Sequence, residues 1–209
     1  MRALVKPAVF VLALAPLAYL LCAALTNNLG ANPQEHLIRA LGDWTLRFLC
    51  VTLAIAPLRV ITGTPALARF SRMSGLFTYF YAVLHLIAYS VFDKELVWAD
   101  IAKDIVKRPF ILVGFTALVL LTPMAATSFN RAVKWLGAKR WKALHKLVYV
   151  VACLAVLHFF WMRAAKQNFT EVAVYAAILA TLLGWRVVNA LRARGAPGAS
   201  GPRPFRVRG

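Results

Sequence analysis

The chain has 209 residues, is 61% hydrophobic and has a mean hydropathy of +0.68. Soluble domains carry roughly 45–50% apolar residues, so this composition excludes a soluble core and implies a protein that crosses a membrane several times. The net charge of +18, from 25 Lys and Arg against 7 Asp and Glu, would suit a nucleic-acid binder on a soluble domain. Here the charges lie between apolar runs, which excludes nucleic acid in favour of a lipid bilayer.

The first apolar run, 8–25, follows Arg2 and Lys6 and lacks a small-residue cleavage site before the polar NNLGANPQ segment. It reads as a transmembrane helix rather than a cleaved leader. Further spans are expected at 44–61, 73–92, 109–129, 141–163 and 168–189. The third and fourth contain no Lys, Arg, Asp or Glu. The sixth is the least regular, since its uncharged core is shorter than the ~20 residues a span needs. The fold class expected is therefore all-α, a six-helix transmembrane bundle over 1–193, with a disordered basic tail over 194–209. Between the third and fourth spans, 96–107 places apolar residues at helical spacing opposite Asp100, Lys103 and Lys107, the pattern of an interfacial helix. Cys22, Cys50 and Cys153 all fall inside apolar runs and form no CxxC pair, so they read as small core residues.

Lys and Arg concentrate on the cytoplasmic side of membrane proteins. With the N-terminus inside, the inner segments collect 17 of the 25 basic residues, and all seven acidic residues fall on the opposite side. The expectation is an N-in, C-in protein. Apart from Glu171 at the start of the sixth, no expected span contains Asp or Glu, which argues against a transporter with a buried carboxylate. HExxH, GxGxxG, Walker and GxSxG patterns are all absent.

Three histidines lie in apolar surroundings: His85 in YFYAVLHLIAY, and His145 and His158 in WKALHKLVYVVACLAVLHFFWMR. A metal-binding side chain in a bilayer marks function by default. Counting along the third and fifth spans puts His85 and His158 at one depth, in the outer half, and His145 near the inner end. Two imidazoles facing each other across a bundle can supply both axial ligands of a heme iron. The natural pair is His85 with His158. His145 is left without a histidine partner at its depth, where Arg69, Arg72 and Met73 open the third span. If 141–163 is one straight helix, the thirteen positions from His145 to His158 rotate the chain by about 140°, and the two rings leave on different faces.

The runs NNLGANPQEHLIRALGDWTLRFLCVTLAIAPLR, RMSGLFTYFYAVLHLIAY, KRPFILVGFTALVLLTPMAATS and LGAKRWKALHKLVYVVACLAVLHFFW resemble, in the same order, the MsrQ (YedZ) family. That family belongs to the ferric-reductase-like transmembrane group, with the NADPH oxidases. The resemblance implies a six-helix protein of the bacterial inner membrane with heme b, one or two per chain, and with FMN. It implies electron transfer from the quinone pool to the periplasmic molybdenum-containing partner MsrP, which repairs methionine sulfoxide in oxidised periplasmic proteins. The family's histidines fall on His85 (LHL), His145 (RW-x-x-LH) and His158 (H-x-x-W). Where the NADPH oxidases carry a second histidine on the third span, this chain has Ser71 and Arg72. The basic inner residues Arg69, Arg72, Arg140 and Lys142 are the candidates for a heme propionate, an FMN phosphate or a quinone, because anionic groups favour guanidinium and ammonium donors. No catalytic residue is expected on this chain; the catalytic site is expected on the partner. Two other readings stay open: a self-contained ferric or quinone oxidoreductase, and a heme-free scaffold or transporter.

Overall fold

The computed structural model describes residues 4–164 and 167–195. Among them are eight α-helical elements: α1 Val5–Leu25, α2 Pro33–Ile61, α3 Ala68–Ala88, α4 Trp98–Lys107, α5 Pro109–Ala126, α6 Asn130–His145, which is kinked at Gly137 (φ 74°, ψ 152°), α7 Leu147–Ala164 and α8 Thr170–Gly195. A bilayer offers the backbone no hydrogen-bond partner, so a spanning segment must satisfy its own amides and carbonyls, and a helix does so within one segment. Six stretches are long and apolar enough to cross: α1, α2, α3 with its flanking turns, α5, α6 with α7, and α8. The residues that set their starts are local ones. The Asn32 side chain accepts from the Glu35 amide at 3.2 Å, and Pro33 follows it in the first turn of α2, a pre-formed helix start. Pro109 opens α5 in the same way.

Four features depart from the sequence expectation. First, α2 begins at Pro33 rather than residue 44, because Asn32 and Pro33 cap it far upstream. Asp43, expected in a loop, lies inside this spanning helix, so the spans are not free of carboxylates. Second, 141–163 is not one helix. α6 ends at His145, Lys146 breaks the ladder, and α7 starts at Leu147. The bonds at the break are three-residue ones, Lys146 to Ala143 at 3.2 Å and Tyr149 to Lys146 at 3.1 Å. That break removes the premise of the 140° argument. Third, Arg186, one of the 17 basic residues assigned to the inner segments, is not free at the surface but sits within α8 and donates to the Leu53 carbonyl of α2 at 2.8 Å. Fourth, α8 continues through residues 194 and 195, the first two of the expected tail; the rest of that tail lies outside the described residues.

α2 and α3 share the most extensive packing, α5 runs along α7, and α8 lies against α2 and α7. One core joins Leu49 and Leu53 of α2, Leu121 of α5, Val151, Ala152 and Phe159 of α7, and Leu179 of α8. A second joins α1, α2 and α3 around Leu20, Phe77 and Tyr81. Lipid tails are as apolar as leucine, so close packing and interhelical hydrogen bonds hold such helices together. Tyr81 Oη donates to the Ala13 carbonyl at 2.8 Å, tying α3 to α1. Thr52 Oγ donates to Ser74 Oγ at 2.9 Å, tying α2 to α3.

After α3 the chain widens into a π turn, Tyr89–Asp93, reverses through Glu95 and Leu96 in the left-handed region at φ 49° and 60°, and enters α4. Ile101 of α4 is buried, while Trp98 and Val106 stay exposed. α4 starts two residues later than the expected interfacial helix, so Leu96 and Val97 precede it and only Ile101 and Ile105 of the expected apolar stripe lie within it.

Candidate functional site

His85 leaves α3 and His158 leaves α7 toward one another. Their ring centroids are 6.2 Å apart, with the ring planes at 82°. His85 Nδ1 donates to the Ile38 carbonyl at 2.8 Å, and His158 Nδ1 donates to the Phe110 carbonyl at 2.6 Å. A carbonyl can only accept, so each Nδ1 carries the proton and each Nε2 keeps its lone pair. Backbone bonds of this kind fix the tautomer and orientation of metal-binding imidazoles.

The same local device holds both rings. Gly42 lies four residues after Ile38 on α2, and Gly114 lies four residues after Phe110 on α5. A Cβ on Gly42 would stand 3.2 Å from the His85 ring, and one on Gly114 would stand 2.7 Å from His158 Nδ1. In each helix, leaving out a side chain one turn beyond the accepting carbonyl lets the imidazole lie against the backbone. Other helical glycines have no such neighbour: nothing lies within 4 Å of the Gly184 Cβ position, and a Cβ on Gly75 meets only Thr52 at 3.7 Å. Gly42 was missed because it lay upstream of the expected span.

The two rings line a cavity of about 490 Å³ enclosed by α2, α3, α5 and α7. Its depth is apolar, with Leu49, Leu121 and Val151. Its mouth, toward α4, carries Asn32, Arg39, Asp43 and Arg108. A pocket of this size that is mostly apolar with a few placed polar groups is the usual form of a cofactor site. Among the described residues no group of three or more His, Cys, Asp or Glu is placed to hold a metal ion. Two imidazoles alone suit a metal that brings its remaining ligands with it.

His145 stands apart from this pair. Its ring stacks on Trp141 at 3.9 Å, and Nδ1 donates to the Trp141 carbonyl at 3.0 Å. Trp141 is itself held, donating to the Thr127 carbonyl at 3.0 Å. His145 Nε2 is buried with no hydrogen-bond partner. Arg72 lies within electrostatic range of this ring and donates to Asn130 Oδ1 at 2.7 Å. Arg69 lies over the Phe70 ring at 4.8 Å. Arg140 and Lys142 are exposed on α6. None of these four basic residues lines the His85–His158 cavity.

The family described as "Ferric reductase like transmembrane component" matches residues 41–156. The chain is 68% identical, over 88% of its length and 84% of the relative's, to a protein of Polaromonas naphthalenivorans named protein-methionine-sulfoxide reductase heme-binding subunit MsrQ. Proteins of the same name from Ralstonia nicotianae and Bordetella pertussis are 50% and 47% identical, over 88% and 92% of this chain and 84% and 93% of theirs. No solved structure matches the chain.

Proposed function

The chain belongs to the ferric-reductase-like transmembrane family and, within it, to the MsrQ heme-binding subunits of the protein-methionine-sulfoxide reductase system, and from that membership we propose that it is the subunit that carries electrons from the quinone pool, or from a reduced flavin, across the bacterial inner membrane to a periplasmic MsrP-type reductase. The observation that carries this reading is the facing of His85 and His158 across the cavity. An imidazole–metal bond is roughly 2 Å long. Two imidazoles that held one iron between them would need ring centres about 6 Å apart by that bond length, and those of His85 and His158 are 6.2 Å apart. The tautomers also fit, since both free nitrogens are the ones turned away from the backbone.

When bound, heme supplies reversible one-electron chemistry. The protein's part is to hold and shield it. His85 and His158 are the proposed axial ligands of one heme b, and the apolar depth of the cavity keeps water from it. His145, with its unpartnered buried Nε2, is the proposed ligand of a second heme at the other end of the bundle. Arg72 stands beside it, and Arg69, Arg140 and Lys142 form the basic surface proposed to receive anionic groups of the donor side, such as an FMN phosphate. Asp93, Glu95 and Asp100 around α4 form the surface proposed to meet the periplasmic partner, on which methionine sulfoxide in oxidised proteins is reduced. The expected N-in, C-in orientation puts the two surfaces on opposite sides of the membrane.

A visible spectrum of the purified protein, with heme stoichiometry, tests the reading. His85→Ala and His158→Ala should each remove the same low-spin signal, and His145→Ala should lower the heme count while sparing it. Survival of that signal in either of the first two variants would overturn the pairing.

A further inference from the structure

The cavity around His85 and His158 is polar at one end only. On α2 the lining passes from Asn32 and Arg39 to Leu46 and Leu49; on α5 it passes from Arg108 to Leu118 and Leu121. Both helices enter the cavity wall at the α4 end and run into its apolar depth. Arg39 and Arg108 are the only cations among its described lining residues. Each arises beside one histidine anchor. Arg39 directly follows Ile38, whose carbonyl holds His85, and Arg108 lies two residues before Phe110, whose carbonyl holds His158.

Each guanidinium is also steadied by a carboxylate one turn earlier. Arg39 pairs with Glu35, and Arg108 Nε lies 3.4 Å from Asp104 Oδ1. A guanidinium carries five N–H donors in a fixed fork, so one carboxylate leaves donors unused. Two further acids line this wall: Asp43 sits among Arg163, Arg47 and Arg39, and Asp93 lies 3.4 Å from Lys94 Nζ. A heme b has one apolar edge and one edge with two carboxylates, and a buried carboxylate is costly unless paired.

We propose that Arg39 and Arg108 bind the two propionates of the heme held by His85 and His158, so that its charged edge faces α4 and its apolar edge lies against Leu49 and Leu121. The assignment rests on the bis-histidine reading above. It moves the propionate contact of this heme away from Arg69, Arg72, Arg140 and Lys142, which lie off the cavity.

The test uses the full chain in membranes from a heme-limited host, titrated with hemin and with heme dimethyl ester, whose propionates carry no charge. Arg39→Gln and Arg108→Gln should each weaken hemin binding roughly tenfold, the scale of one lost hydrogen bond to a charged group. The double variant should weaken it further, and its heme midpoint potential should fall, since a neighbouring cation favours the reduced iron. The ester should bind wild type and double variant alike. Unchanged hemin affinity and potential in the double variant would overturn the assignment. So would an equal loss of hemin and ester binding, because the arginines would then be shaping the protein rather than meeting carboxylates. Absence of a low-spin signal in wild type with either compound would instead remove the axial-ligand reading itself. Arg131→Gln on α6 serves as the control and should match wild type throughout.

Discussion

A glycine inside a helix usually weakens it by about 1 kcal/mol relative to alanine. Gly114 should behave in the opposite way. An alanine methyl there would fall 2.7 Å from His158 Nδ1 and 2.8 Å from Cε1, and relief requires moving either the ring or α5. Such overpacking costs about 1–3 kcal/mol. Gly114→Ala is therefore expected to lose most of the low-spin heme signal, and Gly42→Ala, at 3.2 Å, only part of it. Gly184→Ala meets nothing and should raise thermal stability slightly with an unchanged spectrum. Visible spectra and melting curves of the three variants check this; a wild-type spectrum for Gly114→Ala would mean that His158 does not lie where the structure has it. The planes of the two imidazoles, at 82°, add a spectroscopic expectation: a low-spin ferric signal of large anisotropy in electron paramagnetic resonance, rather than the rhombic pattern of parallel rings. The matched depth of His85 and His158 was legible from residue counting alone, because uninterrupted spans fix height. What counting cannot supply is which backbone carbonyl each ring finds. The Ile38 and Gly42 spacing, repeated in Phe110 and Gly114, becomes a signal only once the histidine opposite is known.

The segment from Lys94 to Arg108 is held to the bundle end by polar contacts centred on Asp104. Lys94 Nζ lies 2.7 Å from Asp104 Oδ2, and Tyr89 Oη donates to the same oxygen at 3.0 Å. Asp93 and Arg108 complete the charged neighbourhood. The Lys94 hydrogen bond holds the Asp104 carboxyl below its usual range, and the same contact raises the Lys94 ammonium. A depressed carboxyl contributes stability above its unfolded pKa, near 3.9, and loses it as pH falls through the folded value. A raised ammonium contributes below about 10.4 and loses it as pH rises through the folded value. Docking of α4 should thus be strongest between those limits. Protection factors of the Leu96 and Asp100 amides against hydrogen exchange, each amide bonded to a carbonyl of this turn at 2.8 and 3.0 Å, should be lower at pH 3 than at pH 7 once the intrinsic rate at each pH is divided out. Asp104→Asn should flatten that difference, and equal protection at both pH values in the wild type would dismiss the contact as a clamp. Periodicity was enough to read α4 from the sequence, because its apolar and charged faces alternate cleanly. The start of α2 was not read, because hydropathy reports where a helix becomes apolar and not where its cap lies. The break at Lys146 was equally hidden: neither Gly nor Pro marks it, and only the backbone bonds betray it.

At the scale of the whole chain the bundle is polarised twice, by charge and by cofactor site. Six crossings leave the α1–α2, α3–α4 and α7–α8 connections on one side and the α2–α3 and α5–α6 connections on the other. The first set holds the mouth of the His85–His158 cavity with Asp93, Glu95 and Asp100; the second holds His145 and the basic face of α6. Burial cannot tell which side is the cytoplasm, since the outward faces of α1 and α8 are apolar along their lengths and fit either orientation. The charge asymmetry predicts it, because translocation disfavours Lys and Arg in short loops. Cysteines introduced singly at Glu95 and at Thr62, in a chain whose Cys22, Cys50 and Cys153 are replaced by alanine, should then differ in intact cells. Glu95→Cys is expected to react with a membrane-impermeant maleimide from the periplasmic side, and Thr62→Cys only after the membrane is opened. The reverse pattern would put the cavity mouth in the cytoplasm, and with it the arginines and the α4 surface. An electron acceptor in the periplasm would then have to dock beside His145, which makes this labelling the measurement on which the direction of electron flow depends.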